Sequence, residues 1–359
     1  MKRRVAIVCG GTAGHIHPAL AVADAYREVS PETEILFIGT PTGLESTLVP
    51  ARGYRLELIP GDPLAREPLV GKLRALARLT AGIVAARRLL VKNKIEIVIG
   101  FGGYATAGAI VAARSLGLKI AMHEANVELG MTNRWLARLA DRVYFAFDRT
   151  AAGFPESRAL VTGNPVRREI VGLAQKIGAR STPSHPTVRF FVTGGSGGSN
   201  FLNRETPALL SEVASCGVRP EALHQAGAFP LAPIRAAYDR CGVTASVTDY
   251  IKDMESAYDW ADFVVTSAGS QTLTELAICG LPFLAVPLSS AAAGHQVANA
   301  EACAEACAAL WTAENGWDAA RLAREIIAKM RSERPRPDSA ALDAAAKIVA
   351  DCERLIGGD

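Results

Sequence analysis

Hydrophobic positions in the chain fall into two alternating kinds of run. Short, nearly unbroken apolar stretches at residues 5–9, 35–39, 56–60, 95–100, 119–123 and 142–146 predict strands. Between them, residues 18–29, 69–93, 105–116 and 133–140 carry apolar side chains at helical spacing. Strands this apolar have no face to give to water, as in a parallel sheet covered by helices on both sides. The rhythm breaks around residues 162–180, and the polar, Pro- and Ser-containing stretch 180–186 reads as a loop. It restarts with a strand at 188–193 and a helix from about Asn200, followed by strands at 222–225, 246–247, 263–266 and 283–286. Residues 338–356 predict a closing helix. The predicted fold class is α/β: two Rossmann-like, doubly wound domains facing a cleft.

The length of 359 residues agrees with about two domains. With 49% hydrophobic and 21% charged residues the chain has enough apolar content for ordinary cores. A net charge of +3 and 6% aromatics give no support to a nucleic-acid-binding role. No apolar run approaches the ~18 residues of a membrane-spanning helix. The basic start Lys2-Arg3-Arg4 leads into a stretch too short for a signal peptide, which predicts a cytoplasmic protein with at most peripheral membrane contact. Seven cysteines at scattered spacings, with no CxxC, argue against a disulfide framework. Cys303 and Cys307 lie at i, i+4 near His295, where small buried residues are a better reading than a zinc site.

The candidate chemistry sits where strands end. Gly10-Gly11-Thr12-Ala13-Gly14-His15 follows the first strand. It is neither G-x-G-x-x-G nor a P-loop. His15 at the helix start is a candidate base near neutral pH, or a structural cap of the turn. Gly194-Gly195-Ser196-Gly197-Gly198 follows the first strand of the second half and offers backbone amides to a diphosphate, or is a plain turn. Ser267 to Glu275 is a third strand-to-helix turn, in which Glu275 either accepts ribose hydroxyls or is a solvated helix residue. Gln296 and Asn299 share a helix face, as sugar-binding or as surface amides. His123-Glu124-Ala125-Asn126 ends another strand, with Glu124 either in a site or in a structural ion pair. The segment 64–94 sets Arg66, Lys72, Arg74, Arg78, Arg87, Arg88, Lys92 and Lys94 against a single acid, Glu67, with Leu69, Leu73, Leu76 and Leu79 at helical spacing. It is a membrane-surface helix or a sheet-covering helix with a solvated basic face.

In order along the chain these pieces resemble the peptidoglycan N-acetylglucosaminyltransferases of glycosyltransferase family 28, which have the GT-B fold. The resemblance also rests on Gly100-Phe101-Gly102-Gly103-Tyr104, Thr132-Asn133, Thr162-Gly163-Asn164-Pro165-Val166-Arg167, His224-Gln225, Gly280-Leu281-Pro282 and His295-Gln296-Val297-Ala298-Asn299-Ala300. It implies an acceptor- and membrane-binding domain over 1–163, completed by the helix 338–359, and a UDP-sugar domain over 164–337. The implied reaction is inverting. The C4 hydroxyl of the muramoyl sugar of lipid I, undecaprenyl-diphospho-MurNAc-pentapeptide, attacks UDP-N-acetylglucosamine to give lipid II and UDP.

The resemblance makes His15 the general base and Glu124 a second acidic site residue. It places Thr12, Ala13, Gly14, Asn126, Arg167, Ser196, Ile251, Ser270, Gln271, Thr272, Leu273, Thr274, Glu275 and Gln296 around the sugar nucleotide. In that scheme the backbone of Ile251 reads the uracil, and Glu275 holds the ribose. Gly102, Gly103, Tyr104 and Asn203 fall on the acceptor side. No cofactor is implied, and no metal motif accompanies the glycine loops, so a divalent cation is at most an assistant. The implied partners are the two substrates, the anionic cytoplasmic face of the inner membrane through segment 64–94, and other cell-wall enzymes acting in cell shape and division. Departures from the family pattern at Ala13, Ala125, Gly197 and Ser267, and a bland stretch at 289–294, bear on specificity. They keep open a transferase of the same kind with another donor or acceptor, or a non-catalytic sugar-nucleotide-binding protein.

Overall fold

Val5, Ala6, Ile7 and Val8 have no exposed surface, and neither have Ile97, Val98 and Ile99. Strands enclosed on both faces must lie inside a parallel sheet with helices on each side. The computed structural model describes residues 2–61, 69–177, 187–289, 294–307, 309–331 and 341–358; for residues 69–76 and 131 it describes the backbone alone. The chain divides into two compact units, Met1–Arg167 with Ala340–Asp359, and Arg168–Ser339.

The first unit is built on β1 (Arg4–Val8), β2 (Glu34–Gly39), β3 (Arg55–Leu58), β4 (Ile97–Gly100), β5 (Lys119–Glu124), β6 (Arg142–Phe145) and β7 (Ala159–Val161). Their order is β3-β2-β1-β4-β5-β6-β7, with every pairing parallel. Around them lie α1 (Ala13–Val29), α2 (Glu45–Ala51), α3 (Leu69–Lys92), α4 (Tyr104–Ser115), α5 (Met131–Leu136) and α6 (Asp148–Ala151). The C-terminal helix, Ala344–Gly357, places Ile348, Val349 and Cys352 in one core cluster with Ile16, Ala19 and Val22 of α1. Asp351 of that helix accepts from Arg142 Nε at 2.8 Å and from the Tyr144 hydroxyl at 3.0 Å. Helix α1 starts at Ala13, five residues ahead of the periodic pattern that Pro18 was expected to open, with Pro18 inside it. Helix α5 stops earlier than 140, where Arg158 donates to the carbonyls of Ala137 and Ala140.

The second unit uses β8 (Thr187–Thr193), β9 (Arg219–Gln225), β10 (Thr244–Thr248), β11 (Phe263–Ser267), β12 (Phe283–Val286) and β13 (Leu310–Trp311). Their order is β10-β9-β8-β11-β12-β13, again all parallel. Its helices are α7 (Arg168–Ile177), α8 (Asn200–Ser215), α9 (Leu231–Arg240), α10 (Met254–Trp260), α11 (Ser270–Ile278), α12 (His295–Cys307) and α13 (Ala319–Arg331). Each sheet is a doubly wound Rossmann-like sheet whose direction of growth reverses once, between β1 and β4 in the first unit and between β8 and β11 in the second. Open α/β sheets bind ligands at the carboxyl ends of the strands flanking such a reversal. The glycine-rich turns lie at these two places.

Candidate functional site

In the first unit, β1 runs into Gly10 and Gly11, Thr12 takes the N-cap backbone of α1, and His15 falls in the first helical turn. Thr12 is exposed, while Ala13, Gly14 and His15 are half-buried. His15 Nδ1 lies 3.1 Å from the Gly10 carbonyl oxygen. A carbonyl only accepts, so Nδ1 carries the proton, and in the neutral ring Nε2 carries the lone pair. Gly102 and Gly103 follow β4 with φ of +103° and +89°, a conformation that favours glycine. A methyl on Gly102 would lie 2.9 Å from His15 Cδ2 and 3.0 Å from Nε2, and one on Gly103 would run into the Gly10 backbone. The imidazole therefore packs against a backbone stripped of side chains. Tyr104 opens α4 beside it, 47% exposed.

Glu124, at the end of β5, is buried, and both its oxygens are engaged. Oε1 accepts from the Asn126 backbone N–H and Nδ2, each at 3.0 Å, and Oε2 from Asn133 Nδ2 at 2.8 Å. Its partners are amides rather than the cation of an ion pair, and it orients Asn126. His123, next to it, bonds the Gly163 carbonyl at 3.3 Å through Nε2. Burial lowers its pKa to about 4, against a smaller opposing contribution from that hydrogen bond, so the ring is neutral. Arg167, half-buried, ends the main segment of the first unit.

In the second unit, β8 leads into Gly194–Gly198, with Gly195 and Gly198 at φ of +79° and +75°. Ser196 is exposed at its tip. Gln225 organises this turn. Its Nε2 donates to the Gly195 carbonyl at 2.9 Å and to Thr193 Oγ1 at 3.3 Å, while its Oε1 accepts from the Ile251 N–H at 2.8 Å. The Ile251 N–H is thereby engaged within the unit. Asn203, placed on the acceptor side by the resemblance, instead lies in the core of this unit. Its Nδ2 donates to the Ala226 carbonyl at 3.0 Å, and its Oδ1 is 2.9 Å from His224 Nε2. It supports the second glycine turn from beneath, since a methyl on Gly198 would overlap the same Ala226 carbonyl.

Helix α11 opens after Gly269 with no side chain closing on its N-cap. The first intrahelical bond runs from Leu273 N to the Gly269 carbonyl, so the N–H groups of Ser270, Gln271 and Thr272 point out of the helix start. Such a terminus favours an anion. Leu273 itself is in the core, and the Thr274 hydroxyl is spent on the Ser270 carbonyl at 2.9 Å. Glu275 is 2% exposed and accepts from the Tyr258 hydroxyl at 3.0 Å and from Gln271 Nε2 at 3.2 Å. Gln296 Oε1 accepts from Ala268 N at 3.2 Å and Leu288 N at 2.9 Å, tying the start of α12 to the third turn.

Sequence reading passed over Gln225 as a loop organiser, Tyr258 as the partner of Glu275, and Glu45. The Glu45 carboxylate is fully buried behind the first glycine turn. Nothing local marks these three, because their partners lie far along the chain. Of the basic segment, Arg66 and Glu67 lie outside the described residues, as do the side chains of Leu69, Lys72, Leu73, Arg74 and Leu76. So do the 180–186 stretch, residues 290–293 and the start of the predicted closing helix. Within α3, Arg78, Arg87, Arg88 and Lys92 are exposed together with Val84 and Val91, opposite the buried Ala86 and Leu90. Among the described residues no helix is long and apolar enough to cross a membrane, and no group of three or more His, Cys, Asp or Glu is placed to hold a metal ion.

Residues 5–145 match the glycosyltransferase family 28 N-terminal domain and residues 189–356 its C-terminal domain. A relative from Geotalea daltonii is 35% identical over 96% of this chain and 96% of its own, and one from Methylococcus capsulatus is 38% identical over 98% and 95%. Both carry the name UDP-N-acetylglucosamine–N-acetylmuramyl-(pentapeptide) pyrophosphoryl-undecaprenol N-acetylglucosamine transferase. Among solved structures, MurG of Acinetobacter baumannii is similar with a TM-score of 0.71 and 28% identity over 99% of this chain and 98% of that one. The UDP-GlcNAc 2-epimerase of Neisseria meningitidis shares the fold, with a TM-score of 0.70 at 12% identity over 98% of this chain and 100% of that one.

Proposed function

Since the chain belongs to glycosyltransferase family 28, we propose that it is an inverting transferase that moves N-acetylglucosamine from UDP-N-acetylglucosamine to the C4 hydroxyl of the muramoyl sugar of lipid I, forming lipid II and UDP. The observation that carries this reading is His15: an imidazole at a sheet switch point with Nδ1–H tied to a backbone carbonyl and its Nε2 lone pair left for a proton. The names of full-length relatives support the substrate pair.

In this scheme the acceptor lies along Gly102, Gly103 and Tyr104. His15 Nε2 removes the C4 hydroxyl proton as the oxygen attacks the anomeric carbon from the face opposite UDP. The bond from that carbon to the β-phosphate oxygen breaks, and the electron pair leaves with UDP. The charge that develops there is met by the N–H groups of Ser196 and Gly197, the Ser196 side chain and the N–H groups at the start of α11, donors aligned before the reaction begins. Glu275 receives the ribose hydroxyls, the Ile251 carbonyl the uracil, and Gln296, Asn126 and Arg167 the rest of the donor. Glu124 acts by orienting Asn126. Thr12, Ala13 and Gly14 border the donor sugar. No resident cofactor is assigned a role.

The exposed basic and apolar face of α3 suits an anionic bilayer, which would hold the enzyme peripherally at the cytoplasmic face of the inner membrane beside its lipid substrate and other cell-wall enzymes. The reading is tested by incubating the protein with labelled UDP-N-acetylglucosamine and a short-chain lipid I analogue. It requires a disaccharide product and UDP in equal amounts; nucleotide binding without product overturns it.

A further inference from the structure

We propose that Glu45 is a positioning residue for His15, acting through the single peptide unit between Gly10 and Gly11. The inference rests on the reading of His15 as the base. The Gly11 N–H donates to Glu45 Oε2 at 3.0 Å, and the Gly10 carbonyl, the other end of the same peptide, accepts from His15 Nδ1–H at 3.1 Å. Carboxylate, peptide and imidazole form one hydrogen-bonded row. A hydrolase that orients its histidine with a carboxylate does so by direct contact. Here one peptide stands between them.

The surroundings of Glu45 are shaped to hold a carboxylate there. It is fully buried at the first residue of α2. Its Oε1 accepts from the Thr40 N–H and the Thr40 hydroxyl, both at 2.8 Å, so three donors converge on the two oxygens. Three glycines leave the space, Gly10 after β1, Gly39 at the end of β2 and Gly43 in the connection from β2 to α2. A methyl on Gly10 would lie 2.6 Å from Oε1, one on Gly39 would lie 2.5 Å from Cγ, and one on Gly43 would fall inside the carboxylate. On the far side of the Gly10–Gly11 peptide, the close approach of Gly103 excludes any side chain there.

The arrangement matters because a Gly–Gly peptide has little to stop it from turning over. A flipped peptide would point its N–H at His15 Nδ1. The ring would then carry its proton on Nε2, where the base needs a lone pair. The same flip would set the Gly10 carbonyl against the Glu45 carboxylate, two acceptors face to face in a buried site, which is strongly unfavourable. Glu45 thus selects the peptide orientation, and the peptide selects the tautomer.

The test uses Glu45→Gln, which keeps the volume. Its carbonyl can still serve Thr40, but its NH2 then meets the Gly11 N–H, donor against donor. Expected is a fall in kcat of between about tenfold and a hundredfold, below the roughly 10²- to 10⁴-fold cost of removing the base itself, with the KM for UDP-N-acetylglucosamine unchanged. In protein labelled with ¹⁵N-histidine, the His15 signals, assigned by their loss in His15→Gln, should show Nδ1 protonated and Nε2 unprotonated. In Glu45→Gln part of the proton should move to Nε2. Thr40→Val removes one of the three donors to the same carboxylate without touching Gly11, and should show the same nitrogen signature in weaker form than Glu45→Gln. If Glu45→Gln does not fold, Gly39→Ala, which displaces the side chain at Cγ, is measured for the same kinetic and nitrogen signature. A parent-like kcat or an unchanged His15 tautomer in the folded variant overturns the role of Glu45 and leaves His15 as the base. A fully active His15→Gln overturns the base reading instead.

Discussion

The Tyr258 hydroxyl donates to Glu275 Oε2 across 3.0 Å in the interior of the second unit. With Gln271 Nε2 on the other oxygen, the carboxylate is held from two sides before any sugar nucleotide arrives. Removing the hydroxyl in Tyr258→Phe deletes a hydrogen bond to a charged acceptor, worth about 1.5–3 kcal/mol. The expected outcome is a rise of about tenfold or more in the KM for UDP-N-acetylglucosamine, with a much smaller change in kcat. Titration calorimetry with UDP checks it, and parent-like UDP binding would show that Glu275 does not depend on this contact.

His15→Ala removes the proposed proton acceptor and leaves the second unit untouched. Turnover should fall by roughly 10²- to 10⁴-fold while UDP affinity stays at the parent value. Steady-state rates with a soluble lipid I analogue, run beside UDP titrations, separate the two quantities. A near-parent rate would assign the base to another group.

Arg78, Arg88 and Lys92 lie on the exposed side of α3. Each basic side chain near an anionic bilayer contributes about 1 kcal/mol, screened by salt. The triple variant Arg78→Glu, Arg88→Glu, Lys92→Glu should lose at least about tenfold in co-sedimentation with phosphatidylglycerol vesicles. Its rate on a short-chain, soluble acceptor should be unchanged. Equal sedimentation of parent and variant would remove this face from the membrane reading.

His123 and His224 are both buried, and burial lowers the pKa of each from 6.5 to about 4. His224 bridges the Tyr238 hydroxyl at 2.8 Å and Asn203 at 2.9 Å as a neutral ring, one nitrogen accepting and the other donating. The unfolded chain takes up these protons near pH 6.5 and the folded chain only near pH 4. Stability is therefore fully present above pH 6.5 and is lost as the pH falls toward 4, by up to roughly 3 kcal/mol per histidine. Thermal unfolding should show a flat Tm above pH 7 and a decline between pH 6.5 and 5, before ordinary carboxylates titrate. His224→Gln, less stable at pH 7.5, should lose less on acidification; an identical pH dependence would show that His224 does not contribute.

The strands that carry the two sites were legible because each is an apolar run that stops at glycine. β1, β4, β8 and β11 appear close to where their patterns predicted. Helix α7 was legible in principle: Ile170, Leu173, Ala174 and Ile177 follow i, i+3, i+4, i+7 and are all buried. The preceding Thr162 to Arg167 segment drew attention to a break instead. Strand β10 has one buried residue, Val247, so its alternation was too weak to bound it. The side chains that hold the site in shape were hardest to see. Glu45 takes its meaning from Gly11, and Gln225 from Gly195 and Ile251. In the sequence Glu124 reads either as a site residue or as half of a structural ion pair; in the structure its two oxygens bind the amides of Asn126 and Asn133. Residue type and spacing suggest which groups can react; only the contacts show which of them hold others in place.

The specificity and stereochemistry of the sugar transfer are read by comparing donors on one acceptor. The protein would be given a short-chain lipid I analogue with UDP-N-acetylglucosamine, UDP-glucose and UDP-N-acetylgalactosamine in separate reactions, and the lipid product read by mass and by its anomeric configuration. Expected is a β-linked N-acetylglucosaminyl product from the first donor, with inversion, and little from the other two. Product from a different donor in preference, or retention at the anomeric carbon, would contradict it.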